Sequence, residues 1–164
     1  VRGAARAAAL GFVAVLLTAT GVTAAPSAEL RLTPSEIATL AQGGAGPGSS
    51  GVSGIQTSVL AGDLTKAGPY TIRLSAPANT RIAAHSHRDE RTAVVISGSW
   101  FFGYGDKADE TKFKALPPGS FYTEPAGDHH FALTRDEPVV VYIFGYGPTE
   151  TVYVDPATAP KPKP

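Results

Sequence analysis

The sequence predicts an all-β domain, a sandwich or small barrel, and three observations carry that expectation. Short runs of β-branched and aromatic residues recur along the chain with turn residues between them. Gly (18) and Pro (14) make about a fifth of the 164 residues, against roughly 12% in ordinary chains. The length suits a single domain, and an apolar share of 43% is enough to build a core.

The elements follow in order. Thr33-Pro34-Ser35-Glu36 before Ile37 and Leu40 has the pattern of a capped helix start, and the helix ends at Gly43-Gly44. Residues 26–54 therefore read as a short helix and a Gly/Ser-rich linker or flexible loop, Gly43 to Gly54. Strands are predicted at Ser58 to Leu60, Tyr70 to Leu74 and Arg81 to His87, with turns at Gly62-Asp63 and Pro77-Ala78-Asn79. Thr92 to Ile96 and Ser99 to Phe102 form a hairpin about Ser97-Gly98. Lys107 to Leu116 has helical composition and reads as a short helix or covering loop, stopped by Pro117-Pro118-Gly119. Phe121 to Glu124, Phe131 to Leu133, Val139 to Phe144 and Thr151 to Val154 complete the strands. A Pro/Lys tail, residues 156–164, is expected to be extended and mobile. Phe102-Gly103-Tyr104-Gly105 recurs as Phe144-Gly145-Tyr146-Gly147. Both copies read as strand ends with a glycine bend, because a phosphate loop needs a following helix and usually a Lys.

The first 25 residues read as an address. Arg2 and Arg6 precede an uncharged stretch whose apolar centre, Ala8 to Leu17, is too short to span a bilayer comfortably. Val22-Thr23-Ala24-Ala25 and Pro26 then resemble a signal-peptidase site. A secreted or periplasmic protein is expected, with no membrane contact after cleavage. Fourteen basic side chains balance fourteen acidic ones, which argues against a nucleic-acid footprint of clustered Lys and Arg. Cysteine is absent, which excludes disulfides, zinc-thiolate sites, iron–sulfur clusters and a thiol nucleophile.

The chain holds four histidines, in two clusters: His85 and His87, then His129 and His130. Residues two apart on a strand face the same side, so His85 and His87 offer two nitrogens to one ion. His129 or His130 offers a third from another strand. Neutral imidazoles suit iron, manganese, nickel, zinc or copper, and the pattern does not choose among these divalent ions.

With these residues in view, the chain resembles the cupin superfamily. His85-Ser86-His87, then position 91, six residues and Gly98 follow the first cupin motif. Gly119, five residues, Pro125-Ala126-Gly127, two residues and His130 follow the second, and Thr134 stands where that motif usually ends in Asn. The piece between the motifs is similar to a group of small bacterial single-domain cupins. The resemblance covers roughly residues 55–155. It implies a double-stranded β-helix (jelly-roll barrel), one divalent transition metal inside, and His130 rather than His129 as third ligand. It also implies a small-molecule ligand and pairing of two copies as a homodimer through barrel edges.

One position departs sharply. The first motif usually supplies a Glu ligand where this chain has Arg91. Arginine stays protonated and cannot ligate. At about 5 Å a cation and a divalent ion repel by roughly 6–7 kcal/mol at an effective dielectric near 20. Three arrangements answer this. Arg91 turns away and Glu90, one residue early, becomes the fourth ligand through a β-bulge. Alternatively, an anion sits between, and Arg91 grips a substrate carboxylate beside a three-His site. Otherwise no metal binds. A structural ion pair of Arg91 with Asp89, Glu124 or Asp128 is the plain alternative to a role in binding. Glu124 reads either into or away from the barrel. These readings lead to an exported metal-binding protein, a metalloenzyme on a small anionic molecule. Oxygen-dependent oxidoreductase chemistry is preferred to isomerase or lyase chemistry. The alternative is a non-catalytic ligand-binding or sensing module.

Overall fold

The computed structural model describes residues 29–161; the expected leader, residues 1–25, and the last three residues lie outside them. A one-turn-and-a-half helix α1, Pro34–Ala38, opens the described chain. Thr33 caps it: its hydroxyl accepts from the Glu36 amide while the Glu36 carboxylate accepts from the Thr33 amide. Ten strands follow: β1 Gln56–Ala61, β2 Gly68–Ala76, β3 Arg81–His87, β4 Arg91–Ser97, β5 Trp100–Tyr104, β6 Lys114–Leu116, β7 Phe121–Glu124, β8 His130–Leu133, β9 Val139–Gly147 and β10 Thr151–Tyr153.

They form two five-stranded antiparallel sheets, ordered β1-β2-β9-β4-β7 and β10-β3-β8-β5-β6. Inward positions alternate along each strand as the pleat requires. In β2 they are Tyr70, Ile72, Leu74 and Ala76, in β9 Val139, Val141 and Ile143, and in β4 Arg91, Ala93 and Val95. The core joins these to Ile82, Trp100, Phe102, Leu116, Tyr122 and Ala132 from the other strands. The two sheets enclose one core, which is the jelly-roll arrangement.

Three segments differ from their sequence expectation. Lys107 to Leu116 forms no α-helix; it makes a single 3₁₀ turn, Glu110–Lys112, capped by Asp109, and then β6. The capping carboxylate stabilises only one turn, and Phe113 leaves it to pack edge-on against Phe131, 4.9 Å between centroids. The middle of the Gly/Ser-rich loop, residues 48–50, is packed rather than free. Ser49 and Ser50 are buried, held by Thr151 Oγ1 donating to the Ser49 carbonyl (3.0 Å) and Tyr153 Oη to the Ser50 carbonyl (2.6 Å). Gly48 sits at φ +79°, and a Cβ there would meet Leu64 and Ile72. Gly48 thus permits a tight approach to the barrel. The start of the tail also folds, as a 3₁₀ turn at Pro156–Thr158. Among the described residues no helix is long and apolar enough to cross a membrane.

Candidate metal centre

His85 and His87 reach the barrel interior because β3 is irregular. Its register against β8 shifts between Ile82↔Ala132 and His85↔His130. That irregularity changes the phase of the strand, so Ile82, His85 and His87 all line the same cavity. His130 stands directly across from His85 at the start of β8. All three imidazoles are buried, and one ligand atom from each lies within 4.8 Å of the others. Ring centroids are 4.4 Å apart for His85 and His130, 5.0 Å for His85 and His87, and 5.2 Å for His87 and His130. Phe102 stacks on His130 at 5.3 Å and Tyr153 lies 5.4 Å from His85, which restrains the rings.

The Nδ1 atoms share one feature. His85 Nδ1 faces the Ala83 carbonyl (2.7 Å), His87 Nδ1 the Glu150 carbonyl (2.9 Å), and His130 Nδ1 the Asp128 carbonyl (3.2 Å). A carbonyl accepts only, so each Nδ1 carries the proton and each Nε2 keeps its lone pair. Nε2 of His87 and of His130 is buried with no hydrogen-bond partner. Burial, with a further push from His130, lowers the His85 pKa to about 3. Burial and then Arg91 lower His87 to about 2, and burial lowers His130. Three neutral imidazoles with ligand atoms this close, two of them with Nε2 buried and unpartnered, are the donor set a divalent transition ion takes. For bonds of 2.0–2.1 Å the nitrogens would close to about 3.3 Å apart. The residues present therefore fit a metal.

Arg91 and Glu124 complete the cavity, and both are buried. They are directly paired across β4 and β7. Arg91 Nε donates to Glu124 Oε2 at 2.6 Å, and Nη2 lies 2.5 Å from the same oxygen. Burial alone would raise the Glu124 pKa; the guanidinium beside it reverses this and holds the carboxyl below its ordinary value. Oε2 is also 3.7 Å from His87 Nε2 and 3.8 Å from His130 Nε2. The structure thus answers the charge problem at position 91 with an ion pair. Glu90 does not take the ligand position expected of it. It is exposed in the turn between β3 and β4, and β4 begins at Arg91 with no bulge to rotate Glu90 inward. Arg91 points inward, as a substrate grip would require, but Nε and Nη2 are already spent on Glu124.

Other residues sort clearly. His129 is partly exposed and pairs with Asp106 (2.7 Å), apart from the cluster. Ser86 lies between the two histidines on the other face of β3. Trp100, Phe102 and Tyr122 line the cavity. The sequence leaves open whether Glu124 points into or away from the barrel; the structure turns it inward. Its signal was present: Tyr122 and Glu124 alternate with an exposed Phe121, so the carboxylate before Pro125 shares the inward face. A second buried pair, Tyr70 Oη donating to Asp89 Oδ2 (2.6 Å), was not foreseen. Gly145 makes room for it, since a Cβ there would meet both side chains.

The cavity among the imidazoles is small, about 20 Å³, on the scale of one water or one ion. Gly48 and Ser50 of the packed loop help to line it. A larger hollow, about 1070 Å³, lies against that loop, Thr149, Glu150, Thr151 and Tyr153 and does not include the imidazoles.

No family model and no curated protein matches the chain. Solved structures do. The polyketide cyclase RemF from Streptomyces resistomycificus superposes with TM-score 0.63 at 15% identity, over 81% of this chain and 90% of that one. An RmlC-like cupin from Shewanella frigidimarina NCIMB 400 gives TM-score 0.53 at 13% identity, over 73% of this chain and 92% of that one. The DMSP lyase DddQ from Ruegeria pomeroyi DSS-3 matches at 21% identity and TM-score 0.46, over 53% of this chain. The chain spans only 43% of that lyase. The two wider matches, both to cupin-type structures, show the fold: this chain has the fold of the cupin superfamily.

Proposed function

We propose that the protein is an exported metalloenzyme acting on a small anionic molecule at an ion held by His85, His87 and His130. The observation that carries this reading is the set of three buried imidazoles whose Nδ1 atoms face backbone carbonyls and leave Nε2 free. When bound, a divalent ion there supplies Lewis acidity and, if iron, copper or manganese, electron transfer. The chain's own residues do the rest. The carbonyls of Ala83, Glu150 and Asp128 fix the tautomers. Arg91 and Glu124 cancel each other's charge, so a loaded site keeps the ion's net positive charge and favours an anionic ligand. Phe102, Trp100 and Tyr122 exclude water. Ser50 and Gly48 close the cavity, so substrate entry requires the packed loop to move aside. Oxygen-dependent chemistry is the preferred class and isomerase or lyase chemistry the next. Export rests on the composition of residues 1–25.

A second reading has its own observation. A cavity of about 20 Å³ holds an ion and no substrate, which favours a metal-dependent binding or sensing module. The experiment separates the two. The mature protein is purified without a tag, its metal content is measured by elemental analysis, and it is reconstituted with iron, manganese, nickel, zinc or copper. Turnover of any member of a panel of small organic acids under air establishes the enzyme. Thermal stabilisation by an acid without turnover establishes the module. Absence of metal after reconstitution, with the fold intact, overturns both.

A further inference from the structure

We infer that Glu124 is the fourth ligand of the metal centre, delivered from β7, and that Arg91 is its positioning residue. This rests on the metal reading above and deepens it. The carboxylate expected at position 91 is replaced by its opposite charge, and the missing acid stands on the neighbouring strand. Arg91 and Glu124 are register partners, and partners in an antiparallel pair have Cβ atoms about 4.5–5.5 Å apart. The swap therefore moves the carboxylate's anchor by one strand while both side chains still enter the same cavity.

Three observations support Glu124 as a ligand. Among the described residues it is the one carboxylate lining the cavity that holds the imidazoles. Its Oε2 stands 3.7 and 3.8 Å from two Nε2 atoms that have no other partner. Those gaps are too long for a hydrogen bond and suit an ion between the atoms. Two ligands 3.7 Å apart, each about 2.1 Å from a metal, subtend about 124° at it, an angle a four-coordinate ion accepts. Arg91 lines the same cavity and holds that same Oε2. A cation at that position would repel a bare ion, but the Glu124 charge it pairs with offsets that repulsion, and the guanidinium orients the carboxylate as outer partners orient metal ligands. The ligand set becomes His85, His87, His130 and Glu124.

The exchange itself supplies the test. Wild-type mature protein, Glu124→Gln, the double variant Arg91→Glu with Glu124→Arg, and His130→Ala are titrated with Co²⁺. Binding is read by calorimetry and by the visible absorption of bound Co²⁺; folding is checked by circular dichroism. Wild type is expected to bind one Co²⁺ per chain. Glu124→Gln should bind at least about tenfold more weakly, with a changed visible spectrum, because an amide is a poorer ligand than a carboxylate. The double variant keeps the net charge and returns a carboxylate to the same cavity, so it should recover most of the affinity. Wild-type affinity and spectrum in Glu124→Gln would overturn the inference while leaving the three-His site standing. So would a folded double variant that binds no better than Glu124→Gln. Failure of the metal reading looks different: wild type then binds no Co²⁺, or His130→Ala binds as wild type does.

Discussion

At the scale of single residues the site is governed by what is neutral and what is charged. His87→Ala and His130→Ala each remove one of three donors, and each is expected to abolish metal retention through gel filtration, read by elemental analysis; wild-type stoichiometry in both would refute the assignment. Arg91→Met leaves the Glu124 carboxylate buried without its guanidinium. Breaking a buried pair in this way costs about 3–5 kcal/mol, which urea denaturation of the metal-free variant should register. The histidines also set a pH dependence. His85 and His87 titrate near 6.5 when unfolded but are pushed to about 3 and about 2 in the fold. Below pH 6.5 the unfolded chain therefore takes up protons that the folded chain refuses, and stability falls with pH. Metal-free protein should lose urea resistance progressively from about pH 6.5 down to about pH 3. A flat profile across that window would contradict the buried, neutral assignment. Of these residues, the imidazoles could be read from spacing along one strand and a second motif. For Glu124 the sequence offers an inward phase and one of three candidate partners for Arg91; the choice among them depends on what faces position 91 across β4 and β7.

Single elements show why local pattern recovers strands and misjudges loops. β3 and β7 occupy the residues their alternation predicts, since a strand with one buried face must show a two-residue period. Phase is another matter: the irregularity between Ile82 and His85 leaves no mark in composition. The Gly/Ser-rich segment misleads for a related reason. Glycine reads as flexibility locally, yet Gly48 is required where the chain presses on Leu64 and Ile72. Tyr153 and Thr151 of β10, about a hundred residues away, anchor that segment. Tyr153→Phe removes the donor to the Ser50 carbonyl and should cost about 1 kcal/mol. Its clearer signature is faster amide exchange confined to residues 48–52, with β2 and β9 unaffected. Exchange that rises equally everywhere would show that the segment does not act as a separate closure.

For the whole molecule, two sheets shield one charged pair and three imidazoles from water. That enclosure costs stability wherever a lone pair or charge goes unmatched. Nε2 of His87 and of His130 are such atoms, and an ion would satisfy both. Saturating metal is therefore expected to stabilise the fold, by about 2.7 kcal/mol at a free concentration a hundred times Kd. Differential scanning calorimetry with Zn²⁺ and then with a chelator should raise and restore the melting temperature. An unchanged melting temperature with Zn²⁺ demonstrably bound would mean that the histidines gain nothing from the ion.

The order of residues alone was enough to establish an all-β chain, a cupin-like spacing of histidines and glycines, and a charge anomaly at Arg91. Each of these is written in neighbours a few positions apart, where strand period and turn chemistry act. Three matters needed the folded chain: the choice of Glu124 over Asp89 and Asp128 as the partner of Arg91, the irregularity that turns His85 and His87 inward, and the packed loop over the cavity. All three join segments distant in sequence, and proximity between such segments arises only when the sheets close around a common core.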